Sequence, residues 1–319
     1  MSKATNKQAT RKKATTQPKP AAVKPGPVLT GYVRFTFEVL GLLRSHKAVF
    51  GRLLLAATVT LLLITGTTQQ AEYSDLAAST EMFSSEVASG IGRTMLEIGV
   101  IFVTVISGAL TSVLSESQQI YAGAAFLFLW LVVVWLLRHQ LAGTEVQLRD
   151  ALYSAGAPLL STLTIVAIAI VQLLPLALVA TVLSSAISSG VLSGAAGLVL
   201  SLGIVLAVGG ITLFWLTTTF FAAIVVTIPG TYPWAALRSA KQLIAGHRVS
   251  VLLRTIWLTL VSILVFVLTV LPVIALDRML NVLGSPLVPV VLQLVTVALS
   301  IYGAAYIYVL YRRIIDERS

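Results

Sequence analysis

Residue types suited to acid–base or metal chemistry are scarce in this chain and lie at the edges of its apolar segments. The three histidines, His46, His139 and His247, each stand beside a lysine or an arginine. None of them is paired at metal-ligand spacing, and the chain has no Cys. Phosphate-binding glycine loops, nucleophile-elbow serines and zinc-protease pairs are also missing. The sequence therefore predicts no catalytic residue, metal site or cofactor, and a protein that is not an enzyme.

Uncharged polar side chains inside long apolar segments are the second group with chemical potential. Gln172 and Gln293 are the strongest of these groups, and a threonine run, Thr217 to Thr219, lies in another segment. In apolar helices such groups commonly bond to the backbone or to a neighbouring helix. The alternative is a small polar cavity lined by Gln172, Thr218 and Gln293, as in a transporter or permease subunit.

The elements that position these groups are membrane-spanning helices. From Ala151 to Leu237 the chain contains no charged residue and no histidine, which no water-soluble domain tolerates. A bilayer crossing needs about 20 apolar residues. We therefore predict an all-α integral membrane bundle with interfacial amphipathic helices. Its six spans are predicted at about residues 50–67, 120–137, 157–183, 198–226, 249–276 and 287–310.

The placement of Lys and Arg predicts the orientation of the spans. Cytoplasmic segments of membrane proteins carry an excess of these residues. An inside N-terminus puts 20 of the 22 Lys and Arg inside and leaves Arg93 and Arg278 outside. That number includes Arg52 and Arg254, which lie near span ends, where we expect their side chains to reach the headgroups. The prediction is a multi-pass cell-membrane protein with both termini in the cytoplasm.

Two further segments flank or interrupt the spans. Residues 1–29 are rich in Lys, Arg and Pro and contain no acid, so we expect a disordered basic cytoplasmic tail before a membrane domain at 30–314. Residues 93–115 carry a polar stripe at helical spacing, which indicates an amphipathic helix on the outer face. The competing interpretation of 93–115 is a further span packed against the others.

A short motif recurs after the second and fourth predicted spans. Before the first span, an amphipathic segment has Phe37 and Leu40 on its apolar face and Arg34 and Glu38 on the opposite face. These features predict one unit, consisting of an inner surface helix, a span, an outer loop and a return span, used three times. The two motif copies are Gly143-Thr144 with Leu148-Arg149-Asp150-Ala151, and Gly230-Thr231 with Leu237-Arg238-Ser239-Ala240.

The second copy of the motif also carries a family resemblance. A proline-ended span, then Ala236-Leu237-Arg238-Ser239, then Gly246 beside basic residues, resembles the membrane domain associated with glycerophosphodiester phosphodiesterases. The resemblance extends over about residues 31–314 and departs from the pattern at Ala240, where Trp is frequent. It implies a six-span membrane module without phosphodiesterase activity, because the catalytic barrel of that enzyme needs a separate soluble domain.

The basic inner segments are the leading candidates for function. Cations near a cytoplasmic leaflet attract anionic lipid by about 1 kcal/mol each. We therefore expect a non-catalytic module that organises lipid, or a membrane protein partner, at the inner leaflet, with nucleic acid as an unlikely partner. The candidate headgroup contacts are Arg149, Arg238, Lys241 and Arg248.

Overall fold

The protein is described from a computed structural model that covers residues 31–65, 115–144, 146–189, 194–280 and 287–318. The tail at 1–29 and nearly all of the helix predicted at 93–115 lie outside the described residues. Within these ranges the chain forms nine helices and no strand. In chain order they are α1 (Tyr32–Ser45), α2 (Lys47–Thr65), α3 (Glu116–Leu141), α4 (Leu148–Ser154), α5 (Leu159–Ser188), α6 (Gly194–Val225), α7 (Pro233–Ile244), α8 (Arg248–Leu280) and α9 (Leu287–Arg318).

Six of these helices, α2, α3, α5, α6, α8 and α9, are long and apolar enough to cross a membrane. Each coincides with one of the six predicted spans. The sequence-based prediction of an all-α helical membrane bundle is therefore confirmed, and the chain is a multi-pass membrane protein. α9 continues past its predicted end to Arg318, so the last basic residues belong to the helix.

Over the ranges that the structure describes, the helices follow one order three times, a short helix and then two long ones. In each repeat the first long helix (α2, α5 or α8) is called the outgoing helix and the second (α3, α6 or α9) the return helix. The outgoing helices begin at Lys47, Leu159 and Arg248. The residue eight positions before each of them is buried in its short helix. Those equivalent buried residues are Val39, Ala151 and Ala240.

The connections before α4 and α7 share a hydrogen-bonded turn. Gly143 and Gly230 have φ of 78° and 82°, a backbone conformation that glycine adopts without strain. The threonine after each glycine donates its hydroxyl back toward the end of the preceding helix: Thr144 to the His139 carbonyl at 2.8 Å, and Thr231 to the Ile228 carbonyl at 2.6 Å, with the Val226 carbonyl at 3.3 Å. The repeated Gly-Thr pair is thus one structural device used twice to end a return span.

Contacts between the repeats close the chain into a ring. α4 packs on α3, the long helix before it, and α7 packs on α6 in the same way. α1 packs on α9, which comes last in the chain. The return helices α3, α6 and α9 also pack against α5, α8 and α2, respectively. The third repeat therefore contacts the first as the first contacts the second, which gives the bundle an approximate threefold arrangement.

The core lies at the end of the bundle that carries α1, α4 and α7, called here the short-helix end. Its residues come largely from the second halves of the return helices, such as Leu137 in α3, Ala222 in α6 and Ile314 in α9. In the most apolar 18-residue stretch of each helix, 50% of α9 is buried inside the protein, but only 6% of α5 is. A helix that is apolar all round yet exposed in the protein is covered by lipid, so α5 faces the membrane.

Candidate functional site

Helix α7 is held against the bundle by small residues at helical spacing. Ala236, Ala240 and Ile244 are fully buried and follow each other at intervals of four along one face. Pro233 begins the helix, where a missing N–H costs nothing. Gly246, at a φ of 94°, follows its end and turns the chain into α8. Packing of this kind fixes which side of α7 is left outside.

The outer side of α7 combines an aromatic ring with two cations. Trp234 is 73% exposed, and Arg238 and Lys241 are exposed on the same side, four and seven residues later. Tryptophan and basic side chains on one helix face are typical of the headgroup region of a membrane. The arrangement gives α7 a surface that can bind the phosphates of anionic lipid.

Helix α4 repeats part of this surface. Arg149 is exposed and is equivalent to Arg238 when the repeats are aligned on their buried alanines. Tyr153, which is 81% exposed, adds an aromatic ring four residues later. The structure thus places three of the four predicted headgroup residues on the outside of the short helices.

The fourth predicted headgroup residue, Arg248, is in a different environment. It is half-buried at the start of α8, and its guanidinium carbon lies 5.4 Å from the centre of the Phe214 ring of α6. This distance is within the range of a cation–π interaction. Arg248 therefore helps to join α8 to α6, and only part of it faces outward.

The predicted cavity residues Gln172, Thr218 and Gln293 lie in α5, α6 and α9, respectively. Thr219 donates its hydroxyl to the side-chain oxygen of Gln172 at 2.8 Å and joins α6 to α5. Thr218, the neighbour of Thr219, is half-buried and is not part of this bond. Gln293 is buried in α9, a helix without extensive contact with α5. The three predicted residues thus lie on three helices, and a cavity between them stays a prediction.

The expectation that Arg254 reaches the headgroups is wrong. Its side chain is only 3% exposed, and its guanidinium carbon lies 5.2 Å from the Tyr32 ring and 5.1 Å from the Phe35 ring, both in α1. In the other two repeats the equivalent buried position holds Leu53 and Ile165. A core position has thus acquired a cation, which α1 covers with aromatic faces.

Helix α1 is docked by polar contacts that the sequence pattern did not reveal. Arg313 of α9 donates to the Glu38 carboxylate at 2.6 Å, and the Trp257 indole N–H donates to the Thr36 hydroxyl at 3.1 Å. Phe35 is fully buried and meets the Tyr306 ring edge-on at 4.8 Å. The protein-facing side of α1 therefore runs through Phe35 and the half-buried Glu38.

A second arginine joins two return helices at the short-helix end. Arg138, in the last turn of α3, donates to the backbone carbonyl of Thr227 at 3.0 Å and also to the Thr227 hydroxyl. Thr227 lies just beyond the end of α6, where carbonyls have no partner within the helix. Arg138 supplies the missing donor and places a positive charge at the negative end of the helix dipole.

Among the described residues, no three His, Asp or Glu side chains are arranged to hold a metal ion. The short-helix end carries an outer surface of aromatic and basic side chains. Beneath this surface lie the polar contacts that hold α1 on the bundle and join α3 to α6. Comparisons with protein-family models, with curated proteins and with solved structures find no match for this chain.

Proposed function

We propose that this membrane protein is a non-catalytic module that organises anionic lipid at the inner leaflet through α4 and α7. The observation that carries the proposal is the outer line of α7, where Trp234, Arg238 and Lys241 are exposed while the opposite face is buried. A helix fixed in this way presents its cations in one direction. The surface is therefore built before any lipid arrives.

The charges on this surface are sufficient for a measurable lipid preference. Each exposed cation near an anionic leaflet contributes about 1 kcal/mol, which is about a fivefold change in relative binding. Arg238, Lys241 and Arg149 act from two helices at the same end of the bundle. Clustered headgroups, and a membrane protein partner that recognises them, are the expected consequence.

The segment that resembles the membrane domain of glycerophosphodiester phosphodiesterases supports the same kind of role. Residues 228–248 form α7 with its two flanking glycine turns, at Gly230 and Gly246, so the motif corresponds to the proposed lipid surface. We propose that the chain is a membrane module of that type. The transporter alternative has less support, because the bond from Thr219 to Gln172 accounts for both groups by helix packing.

We expect wild-type protein in mixed bilayers to restrict spin-labelled anionic lipid more than spin-labelled phosphatidylcholine. An Arg149→Gln, Arg238→Gln, Lys241→Gln variant should lose most of this preference, because it removes three exposed cations. Electron paramagnetic resonance of the motionally restricted lipid fraction measures the effect. A single Arg238→Gln change should lower the preference about fivefold. Ser239→Asn, an exposed and uncharged neighbour of Arg238 on α7, is the control and should leave it unchanged.

Equal association of anionic and neutral lipid with the wild-type protein contradicts the lipid proposal. So does a triple variant that keeps the wild-type preference. In either case the exposed cations serve only to orient the helices in the membrane.

The proposed orientation puts the short-helix end in the cytoplasm, because the Lys and Arg residues collect there. Since the chain has no Cys, single-cysteine variants report on sidedness without further changes. In intact cells a membrane-impermeant maleimide should label Ser117→Cys at the far end of the bundle. It should label Gly41→Cys and Ser239→Cys only after permeabilisation. Labelling of positions 41 and 239 from opposite sides would refute the six-span map.

A further inference from the structure

Helix α1 has three distinct sides. Phe35 and Val39 are buried against the bundle, while Val33, Phe37 and Leu40 are exposed on the opposite side, with Phe37 64% exposed. Helical residues are rotated by about 100° from one to the next, so these three apolar side chains fall within about 60° of each other. A third, polar side is exposed between the other two and is formed by Arg34, Gly41 and Ser45.

The apolar outer side distinguishes α1 from its equivalent in the third repeat. When the helices are aligned on the buried residues Val39 and Ala240, Phe37 corresponds to Arg238 and Leu40 to Lys241. The two helices therefore occupy the same place in their repeats but expose opposite chemistry. Cations suit the headgroup layer, whereas Phe and Leu suit the boundary with the acyl chains.

Chain continuity keeps α1 at the membrane surface. Only His46 separates its last residue from the first residue of the spanning helix α2. Three exposed cations, Arg44, Lys47 and Arg52, lie on both sides of this junction. The one acid of α1, Glu38, is paired with Arg313 on the protein side and with Arg34, in the first turn of α1, at 3.5 Å. This distribution is complementary to an anionic leaflet.

We propose that α1 is immersed in the leaflet at the short-helix end, with Val33, Phe37 and Leu40 against the acyl chains of anionic lipid. The polar side then faces water and the third side stays on the bundle. The side chains of Phe37 and Leu40 then reach further into the leaflet than the cations that α7 exposes at the equivalent positions. The arrangement makes α1 a wedge in that leaflet.

The test uses nitroxide labels on single cysteines in the full-length, otherwise cysteine-free chain, reconstituted in vesicles that contain anionic lipid. At Phe37→Cys and Leu40→Cys, collisions with oxygen should be frequent and collisions with a water-soluble nickel chelate rare. At Gly41→Cys and Ser45→Cys the order should reverse. We expect the oxygen-to-nickel ratio to differ several-fold between the two pairs. No atom lies within 4 Å of a Cβ built at Gly41, so that control fits the fold.

Two results overturn the proposal. Frequent nickel collisions at positions 37 and 40 place the apolar side in water. Rare collisions with both reagents show that protein covers it, such as a second copy of the chain. The nitroxide label measures the depth of α1 and not the headgroup preference of α7. The depth of α1 can therefore be refuted while the lipid preference of α7 is confirmed, and the lipid preference can be refuted while the depth is confirmed.

Discussion

Replacement of Phe35 by Ala is expected to destabilise the protein by about 3–5 kcal/mol. Phe35 has no exposed surface, meets the ring of Tyr306 edge-on and lies within 6 Å of the guanidinium carbons of Arg254 and Arg313. Its loss leaves a cavity between two cations and removes their aromatic neighbour. Thermal unfolding followed by tryptophan fluorescence, in detergent or nanodiscs, measures the loss.

The matched control for this variant is Phe37→Ala, two residues away in the same helix. Phe37 is exposed, so its truncation in detergent should change stability by no more than about 0.5 kcal/mol. Limited proteolysis gives a second measurement, because undocking of α1 exposes the backbone after Arg44 to trypsin. Equal effects of the two truncations would show that α1 is not held by its Phe35 face.

Replacement of Arg254 by Ala is expected to cost about 2–4 kcal/mol. The change opens a cavity in the core and removes a cation from two aromatic rings in a desolvated place. Arg254→Lys should recover little, because a lysine ammonium is compact and strongly hydrated and cannot stack its plane on a ring. Arg254→Leu should recover about half, since aliphatic residues fill the same position in the other repeats.

Arg52→Ala is the matched control for the arginine series. Arg52 lies one residue before Leu53, the equivalent of Arg254, and is exposed, so its loss should stay within about 0.5 kcal/mol. Arg254→Leu with the full stability of the wild type would show that only aliphatic volume matters at this position. Arg254→Lys with the full stability of the wild type would show that charge alone is sufficient.

The fold was largely predictable because membrane insertion depends on local composition. Each span is a run of apolar residues whose transfer energies add along the chain, and the predicted runs coincide with α2, α3, α5, α6, α8 and α9. The repeat was also visible in the sequence, since a Gly-Thr turn and a buried Ala need the same residue types wherever they recur. The prediction already included the surface helix before the first span, and the structure showed in addition that α9 closes the ring.

The candidate site was predictable only in part. Arg149, Arg238 and Lys241 are exposed as a basic headgroup surface requires, since water or lipid is the only good neighbour for a charge that has no protein partner. The bond between Thr219 and Gln172 was not predictable, because the helix rotation that faces Thr219 to Gln172 depends on the packing of α5 against α6. The amino-acid composition of a segment does not indicate how its helix is rotated against a neighbour.

What the sequence by itself determined is that the chain crosses the membrane several times and where its charges collect, because both follow from the cost of placing each residue in hydrocarbon. Only the tertiary structure decided which side of α1 is buried and that Arg254 lies in the core. The physical reason is that both sides of α1 are apolar enough to be covered, and an arginine is tolerated in the core only where rings from another helix replace its water. Those neighbours come from segments more than 200 residues apart, and only folding brings them together.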